Sequence, residues 1–218
     1  MSDGLSRPAL SFSRRLRQWM PDDHNRGQWL LGLVFLGLVL LSLLGEDGRR
    51  LLRYEREAVL QGEYWRLITG HLVHGGTQHL LLNSAGLALI AALFRHDDHY
   101  SWRAWLLIAL FSMAAIDLGF VFWEPQLSWY VGLSGVLHGV LAAGAVGWWR
   151  HESKRLALPL SAILLGKLAW EQWQGALPLS GDLPVVVDAH LYGALGGALA
   201  GFILWVQAHR QVAVKSRI

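Results

Sequence analysis

Ser134 and His190 are the two residues whose types and placement could do chemistry together. Ser134 stands in the run Trp129-Tyr130-Val131-Gly132-Leu133-Ser134-Gly135-Val136-Leu137-His138-Gly139, bracketed by glycines at the head of a long apolar stretch. His190 opens a second apolar stretch far along the chain, and His79 and Asn83 open a third. A hydroxyl beside an imidazole can be deprotonated as it attacks a carbonyl. An amide and a second imidazole are N–H donors of the kind that steady the oxyanion so formed. Serine alone at a helix contact is ordinary. Four such groups at one level read as a site.

The elements that must position them are membrane helices. Apolar residues make up 53% of the chain and charged residues 16%, well below the soluble norm of about a quarter. The apolar residues gather into charge-poor runs near the ~20 residues that cross a hydrocarbon core. Several of the twelve tryptophans sit at the ends of those runs, where an interfacial belt is expected. The formal net charge of +3 comes from basic residues at run ends and carries no nucleic-acid signal. With no cysteine in the chain, disulfides, thiolate metal sites and a cysteine nucleophile are excluded. An Arg-rich segment (Arg14, Arg15, Arg17) precedes the first run, but Gly45-Glu46-Asp47 follows it instead of a small-residue cleavage site, so the run is read as a retained span.

The pattern predicts an all-α polytopic membrane protein with six transmembrane helices. Residues 1–26 form a basic cytoplasmic tail, 27–208 the membrane domain and 209–218 a second cytoplasmic tail. Span one is Gly27 to Gly45. The 46–66 connector is amphipathic and too long for a turn, so it is expected to fold on the outer membrane surface. Span two runs from about Gly76 to Phe94, span three from Trp102 to Trp123 and span four from Ser128 to Trp149. Span five, Leu156 to Trp173, is interrupted by Lys167 and Glu171, which are four apart on one helix face and able to pair. Span six runs from about Val185 to Ala208.

Basic residues set the orientation. The loops after spans two and four and the C-terminal tail contain Lys or Arg, whereas those after spans three and five contain none, so both termini face the cytoplasm. Spans two, four and six then enter from the outer side. At ~1.5 Å rise per residue, His79, Ser134 and His190 lie at one shallow depth. Small residues recur every fourth position in span four (Gly135, Gly139, Ala143, Gly147) and in span six (Gly193, Gly197, Gly201). Seams of this kind let backbones approach closely, which predicts that spans four and six touch and bring serine to histidine.

In four places the chain resembles the rhomboid intramembrane serine proteases. Trp65-Arg66 looks like that family's motif between the first two spans. His74, His79 and Asn83 match its H-x4-H-x3-N pattern, Gly132-Leu133-Ser134-Gly135 its G-x-S-G motif, and Ala189-His190 with Gly193 and Gly197 its A-H-x-x-G-x-x-x-G motif. The resemblance implies a six-transmembrane-helix rhomboid-like bundle with Ser134 as nucleophile and His190 as general base. It implies an oxyanion hole lined by Asn83, His79 and the Ser134 backbone N–H. His138 stands where rhomboids commonly carry a tyrosine that supports the histidine. The small size, the Leu-Ser-Gly-Val-Leu-His-Gly run and the Asp-Ala-His stretch look like the rhombosortase branch. That likeness implies a single-pass membrane-anchored protein substrate with a C-terminal Gly-Gly anchor, and a bacterial inner membrane location with the site open to the periplasmic side. Apart from the lipid bilayer and this substrate no partner is expected: no nucleic acid, no cofactor and no metal.

Other residues are read as structural. His71, His74 and His79 could be imagined around a metal, but the H-E-x-x-H pattern is absent and no carboxylate joins them in spans two, four or six. His74 fits a loop anchor better. Asp188 lies two residues before His190 on another helix face, which makes it a poor triad member. A Ser–His dyad on rigid helices is therefore expected to suffice without an acid. His96, His99, His151 and His209 fall in cytoplasmic turns and should be solvated. The competing class is a non-catalytic protein of the same fold that binds or escorts transmembrane clients, for which the substitution at His138 speaks. A small-solute transporter would show internal repeat symmetry, and none is visible.

Overall fold

The computed structural model describes residues 23–95, 100–150, 154–177 and 185–215, and the side chains of 23–28 and 208–215 are outside the description. The N-terminal tail up to residue 22, His96, His99, His151 and the side chain of His209 therefore lie outside the described residues.

The chain folds as an all-α helical bundle. In order it forms α1 (Asp23–Ser42), α2 (Gly45–Leu52), β1 (Tyr54–Glu55), α3 (Arg56–Leu60), α4 (Arg66–Thr69), α5 (Thr77–Leu93), α6 (Trp102–Phe122), β2 (Trp129–Tyr130), α7 (Ser134–Arg150), α8 (Lys154–Gln174) and α9 (Val187–Lys215). The six longer helices follow the six apolar runs. By length and apolarity alone, α6 and the Val187–Gln207 part of α9 are long enough to cross a membrane. A third crossing counts if α1 and α2, bent by 116° at their break, are taken as one broken span. The others fall short for local reasons. α5 has only 17 residues, and α8 carries Lys154, Arg155, Lys167 and Glu171. The exterior is nevertheless apolar: Leu33, Leu81, Ile163, Leu165 and Trp173 are each more than 60% exposed, an arrangement that suits lipid and not water.

At its C-terminal end α9 continues as helix to Lys215, seven residues past the expected end of the membrane domain. α1 begins at Asp23, four residues before the expected start. Both differences arise because polar and basic residues continue a helix as readily as apolar ones, so a hydropathy boundary is not a helix boundary.

The centre of the bundle is a stripe on α6. Ile108, Ser112, Ile116 and Phe120, spaced four apart, are all fully buried, and Ser112 satisfies its hydroxyl on the Ile108 carbonyl at 2.8 Å. α7 and α9 make the most extensive helix pair. Their seam is backbone against backbone. A Cβ on Gly135 would stand 2.7 Å from the Ala189 carbonyl oxygen, and one on Gly197 would collide with the Gly139 backbone. The four-residue repeat in the two sequences is thus met by close approach.

The connector is folded, not loose. Arg66, 7% exposed, donates from Nη1 to the Arg50 and Arg53 carbonyls at 2.8 and 2.9 Å and from Nε to Glu63 at 2.6 Å. Arg56 caps the end of α6 through the Phe120 and Val121 carbonyls at 2.9 and 3.1 Å. β1 pairs antiparallel with β2, Tyr54 opposite Tyr130 and Glu55 opposite Trp129. That two-residue ladder ties the connector to the segment leading into Ser134.

Candidate functional site

Ser134 is the first residue of α7. Leu133 precedes it as the cap, accepting from Leu137 N–H at 3.0 Å. The turn before it is shaped by Gly132, whose φ is +122°, a conformation open to glycine and costly for other residues. Tyr130 Oη donates to the Gly132 carbonyl at 2.7 Å and holds that turn from below. A Cβ at Gly132 would meet the His79 ring at 2.6 Å, so the missing side chain is also what lets α5 bring His79 over the turn. Ser134 N–H belongs to the first turn of a helix, where no carbonyl lies four residues back to receive it. It is free in direction to serve an oxyanion.

His190 reaches Ser134 from the start of α9, with Nε2 2.9 Å from Ser134 Oγ. The expectation that the glycine seam joins the two is met at hydrogen-bond length. His138, one turn on from Ser134, donates from Nδ1 to the Ser134 carbonyl at 2.7 Å. Its ring stacks on that of His190, with centroids 4.2 Å apart and planes inclined by 16°. The imidazole therefore occupies the supporting face that the tyrosine position suggested.

On α5, His79 Nδ1 accepts from the Gly75 N–H at 3.3 Å. An acceptor at Nδ1 places the ring proton on Nε2, the atom that faces the Gly132 turn at 2.7 Å from the built Cβ position. Asn83, 3% exposed, donates to the His79 carbonyl at 3.0 Å, while its buried Oδ1 has no partner among the described residues. One turn further, Gly86 abuts Leu137, with a Cβ there 2.9 Å from Leu137 Cδ1. The middle of α5 is thereby pressed against the first turn of α7.

Two residues that sequence reasoning kept apart from the site belong to it. Glu171, on α8 and 3% exposed, has Oε2 2.9 Å from His190 Nδ1. Its other oxygen, Oε1, takes Lys167 Nζ at 2.5 Å, and Lys167 Nζ lies 3.4 Å from His190 Nδ1. The i,i+4 pairing of Lys167 with Glu171 was legible, but its destination was not. The dyad read from the sequence as sufficient without an acid thus has a carboxylate beside it. Asp188, as expected, points elsewhere and accepts from Gln172 Nε2 at 3.2 Å.

Among the described residues, His138, Glu171 and His190 bring their ligand atoms within 4.8 Å of one another. This set is distinct from the His71, His74 and His79 group weighed from the sequence, and its carboxylate comes from α8. The set fits a metal poorly. The near-parallel rings direct their lone pairs in parallel planes rather than toward one point, His138 Nδ1 is committed to a carbonyl, and the Lys167 ammonium already occupies the carboxylate. The other histidines are structural neighbours. His71 Nε2 lies 3.3 Å from Asp117. His74 is 7% exposed and packs edge-on to His79 at 5.1 Å, with neither ring nitrogen hydrogen-bonded among the described residues. Burial first, and the His79 charge second, push His74 down to about 4.

The sequence is similar to those of known proteins. The family model of the Rhomboid domain matches residues 61–207. Over 149 residues, 66% of the chain, it is 29% identical to "RHOMBOID-like protein 7" of Arabidopsis thaliana, and covers 44% of that protein. It is 28% identical over 153 residues to "Putative rhomboid protease YdcA" of Bacillus subtilis (strain 168), covering 69% of it. It is 31% identical over 155 residues to "RHOMBOID-like protein 6, mitochondrial" of Arabidopsis thaliana, covering 47%. The chain spans about half the length of the plant relatives it matches. With the family model aligned from the end of the connector through most of α9, this chain belongs to the rhomboid family.

Proposed function

We propose that the chain is an intramembrane serine endopeptidase. The observation that carries the reading is the 2.9 Å contact between His190 Nε2 and Ser134 Oγ at a helix N-terminus. In the reaction, the Oγ–H proton passes to His190 Nε2 as Oγ bonds to the scissile carbonyl carbon. The oxyanion is met by Ser134 N–H, His79 Nε2–H and the Asn83 amide, and the positive end of α7 favours the developing charge. As the C–N bond breaks, Nε2 returns the proton to the leaving amine. Water, activated by the same nitrogen, then hydrolyses the acyl-enzyme. The name of the Bacillus subtilis relative, which covers a comparable length, supports the same chemistry.

The membrane setting is part of the proposal. All six longer helices cross the bilayer, both termini are cytoplasmic, and the site opens to the outer side of a bacterial inner membrane. Residues 1–26 and 209–218 then flank a membrane domain of residues 27–208, with the 46–66 connector on the outer face. The narrower reading places the chain in the rhombosortase branch, cutting C-terminal anchors that carry Gly-Gly before a transmembrane helix. Glycine weakens helix by about 1 kcal/mol per residue, and a locally unwound strand is what presents a carbonyl to Ser134. The stacked His138 fits this catalytic reading better than a client-binding one, because it braces the imidazole that a mere escort would not need.

The test follows a tagged substrate with a Gly-Gly helical anchor alongside a fluorophosphonate probe. Wild type should cleave and label, and Ser134→Ala and His190→Ala should do neither. Cleavage by Ser134→Ala at the original rate would defeat the proposal. Equal cleavage of an anchor with Gly-Gly replaced by Leu-Leu would remove the narrower branch assignment alone.

A further inference from the structure

α8 reaches the dyad through one face, and what it delivers there is an ion pair. Glu171 is 3% exposed and both of its oxygens are engaged: Oε2 with His190 Nδ1 at 2.9 Å, Oε1 with Lys167 Nζ at 2.5 Å. The Lys167 side chain is 27% exposed, against 2% for that of Glu171. His138 closes the opposite side by stacking on the ring. His190 is thus held on three sides: by Ser134 at Nε2, by Glu171 at Nδ1 and by an imidazole on its face.

We propose that Glu171 is a positioning residue for His190 and that Lys167 acts through Glu171. The inference rests on the serine-protease reading above. Its logic is geometric. A carboxylate accepts and does not donate, so Glu171 fixes the His190 proton on Nδ1 and leaves the Nε2 lone pair directed at Ser134. When Nε2 takes the Ser134 proton, a full positive charge appears on a ring already 2.9 Å from a negative oxygen. Glu171 gains no proton in this step and remains the counter-charge. A carboxylate so deeply buried is costly without a cation, and Lys167 supplies one. The competing contact of Lys167 Nζ with Nδ1, at 3.4 Å, is the longer of the two and cannot form while Nδ1 carries its proton.

The role separates from simple structural support in one experiment on the full chain in detergent. The end point of fluorophosphonate labelling counts correctly folded sites, whereas its rate reports the reactivity of Ser134. Glu171→Gln preserves shape and an acceptor oxygen but removes the charge. It is expected to lower the labelling rate and kcat by at least about tenfold, with KM within about twofold and the labelling end point retained. Lys167→Met should lower the rate by about threefold to tenfold alone, and add nothing in a Glu171→Gln background. A Glu171→Gln rate within about twofold of wild type, with Ser134→Ala and His190→Ala unlabelled, overturns the role of Glu171 and leaves the dyad standing. A wild-type chain that fails to label overturns the protease reading and this inference together. Should Glu171→Gln not fold, the Lys167→Met rate decides: unchanged from wild type, it overturns the proposal.

Discussion

The two sides of the bundle are built on opposite plans. On one side α7 and α9 meet backbone to backbone, with no room for a methyl group at Gly139, Gly193 or Gly197. On the other, between α1, α5, α6 and α7, lies an apolar cavity of about 540 Å³ lined by Leu31, Leu87, Phe94, Trp105, Met113 and Leu137 among others. The tight side carries Ser134 and His190, whose chemistry needs atoms held to tenths of an ångström. The loose side is lined mostly by apolar surface, with Arg95 and Ser101 among its polar residues. Packing density has been concentrated where geometry matters.

That contrast can be broken, and the largest effect should come at the seam. Gly197→Leu places a branched side chain against the Gly139 backbone, where even a Cβ collides. Overpacking of this severity is expected to cost about 3 kcal/mol or more and to abolish fluorophosphonate labelling, read beside a thermal melt in detergent. Acid should have the next largest effect, at the segment that leads into α5. His74, held at about 4 by burial, stays neutral in the folded protein while the unfolded chain takes up a proton below about 6.5. Stability conferred by the neutral ring is present above pH 6.5 and is lost as pH falls toward 4, by up to about 3 kcal/mol. Melting temperatures across that window should fall for wild type and fall less for His74→Phe; parallel curves would contradict the assignment.

Gly132→Ala comes third. A φ of +122° strains alanine, and its methyl displaces the His79 ring. A loss of about 1–3 kcal/mol is expected, with kcat falling more than KM rises because the oxyanion donor moves and the anchor-binding surface does not. The smallest effect should come from the loose side. Ala109→Leu adds volume into the cavity and is expected to change stability by no more than about 1 kcal/mol, with labelling and cleavage unaltered. A seam-sized loss there would show that the two sides are packed alike after all.

What could be read from the chain follows the same division. The seam is periodic, so the small residues of α7 and α9 announce both their contact and the depth of Ser134 and His190. The Lys167–Glu171 pair looks self-sufficient, because two opposite charges one turn apart satisfy each other in the sequence. In α8 the small residues form two short pairs, Ala157 with Ser161 and Ala162 with Gly166, which do not agree on one inward face, so the third contact of His190 emerges only from tertiary packing. The bridge between Tyr54–Glu55 and Trp129–Tyr130 is two residues long, too short for any alternation to register. His138 was the reverse case: an apparent departure from a motif whose ring proves to lie flat on His190. The bend after α1 was half visible: Gly45 marked the end of the first apolar run, but not the 116° turn between Ser42 and Gly45.

The short β bridge has a mechanical consequence. Tyr130 is four residues from Ser134, so the 46–66 connector is tied to the backbone that leads into Ser134. Tension applied along residues 46–66 reaches that backbone through the two-residue ladder and the Arg56 N–H bond to the Ser128 carbonyl at 2.9 Å. A flexible linker grafted in place of that segment would leave the long helices intact and still unmoor the serine.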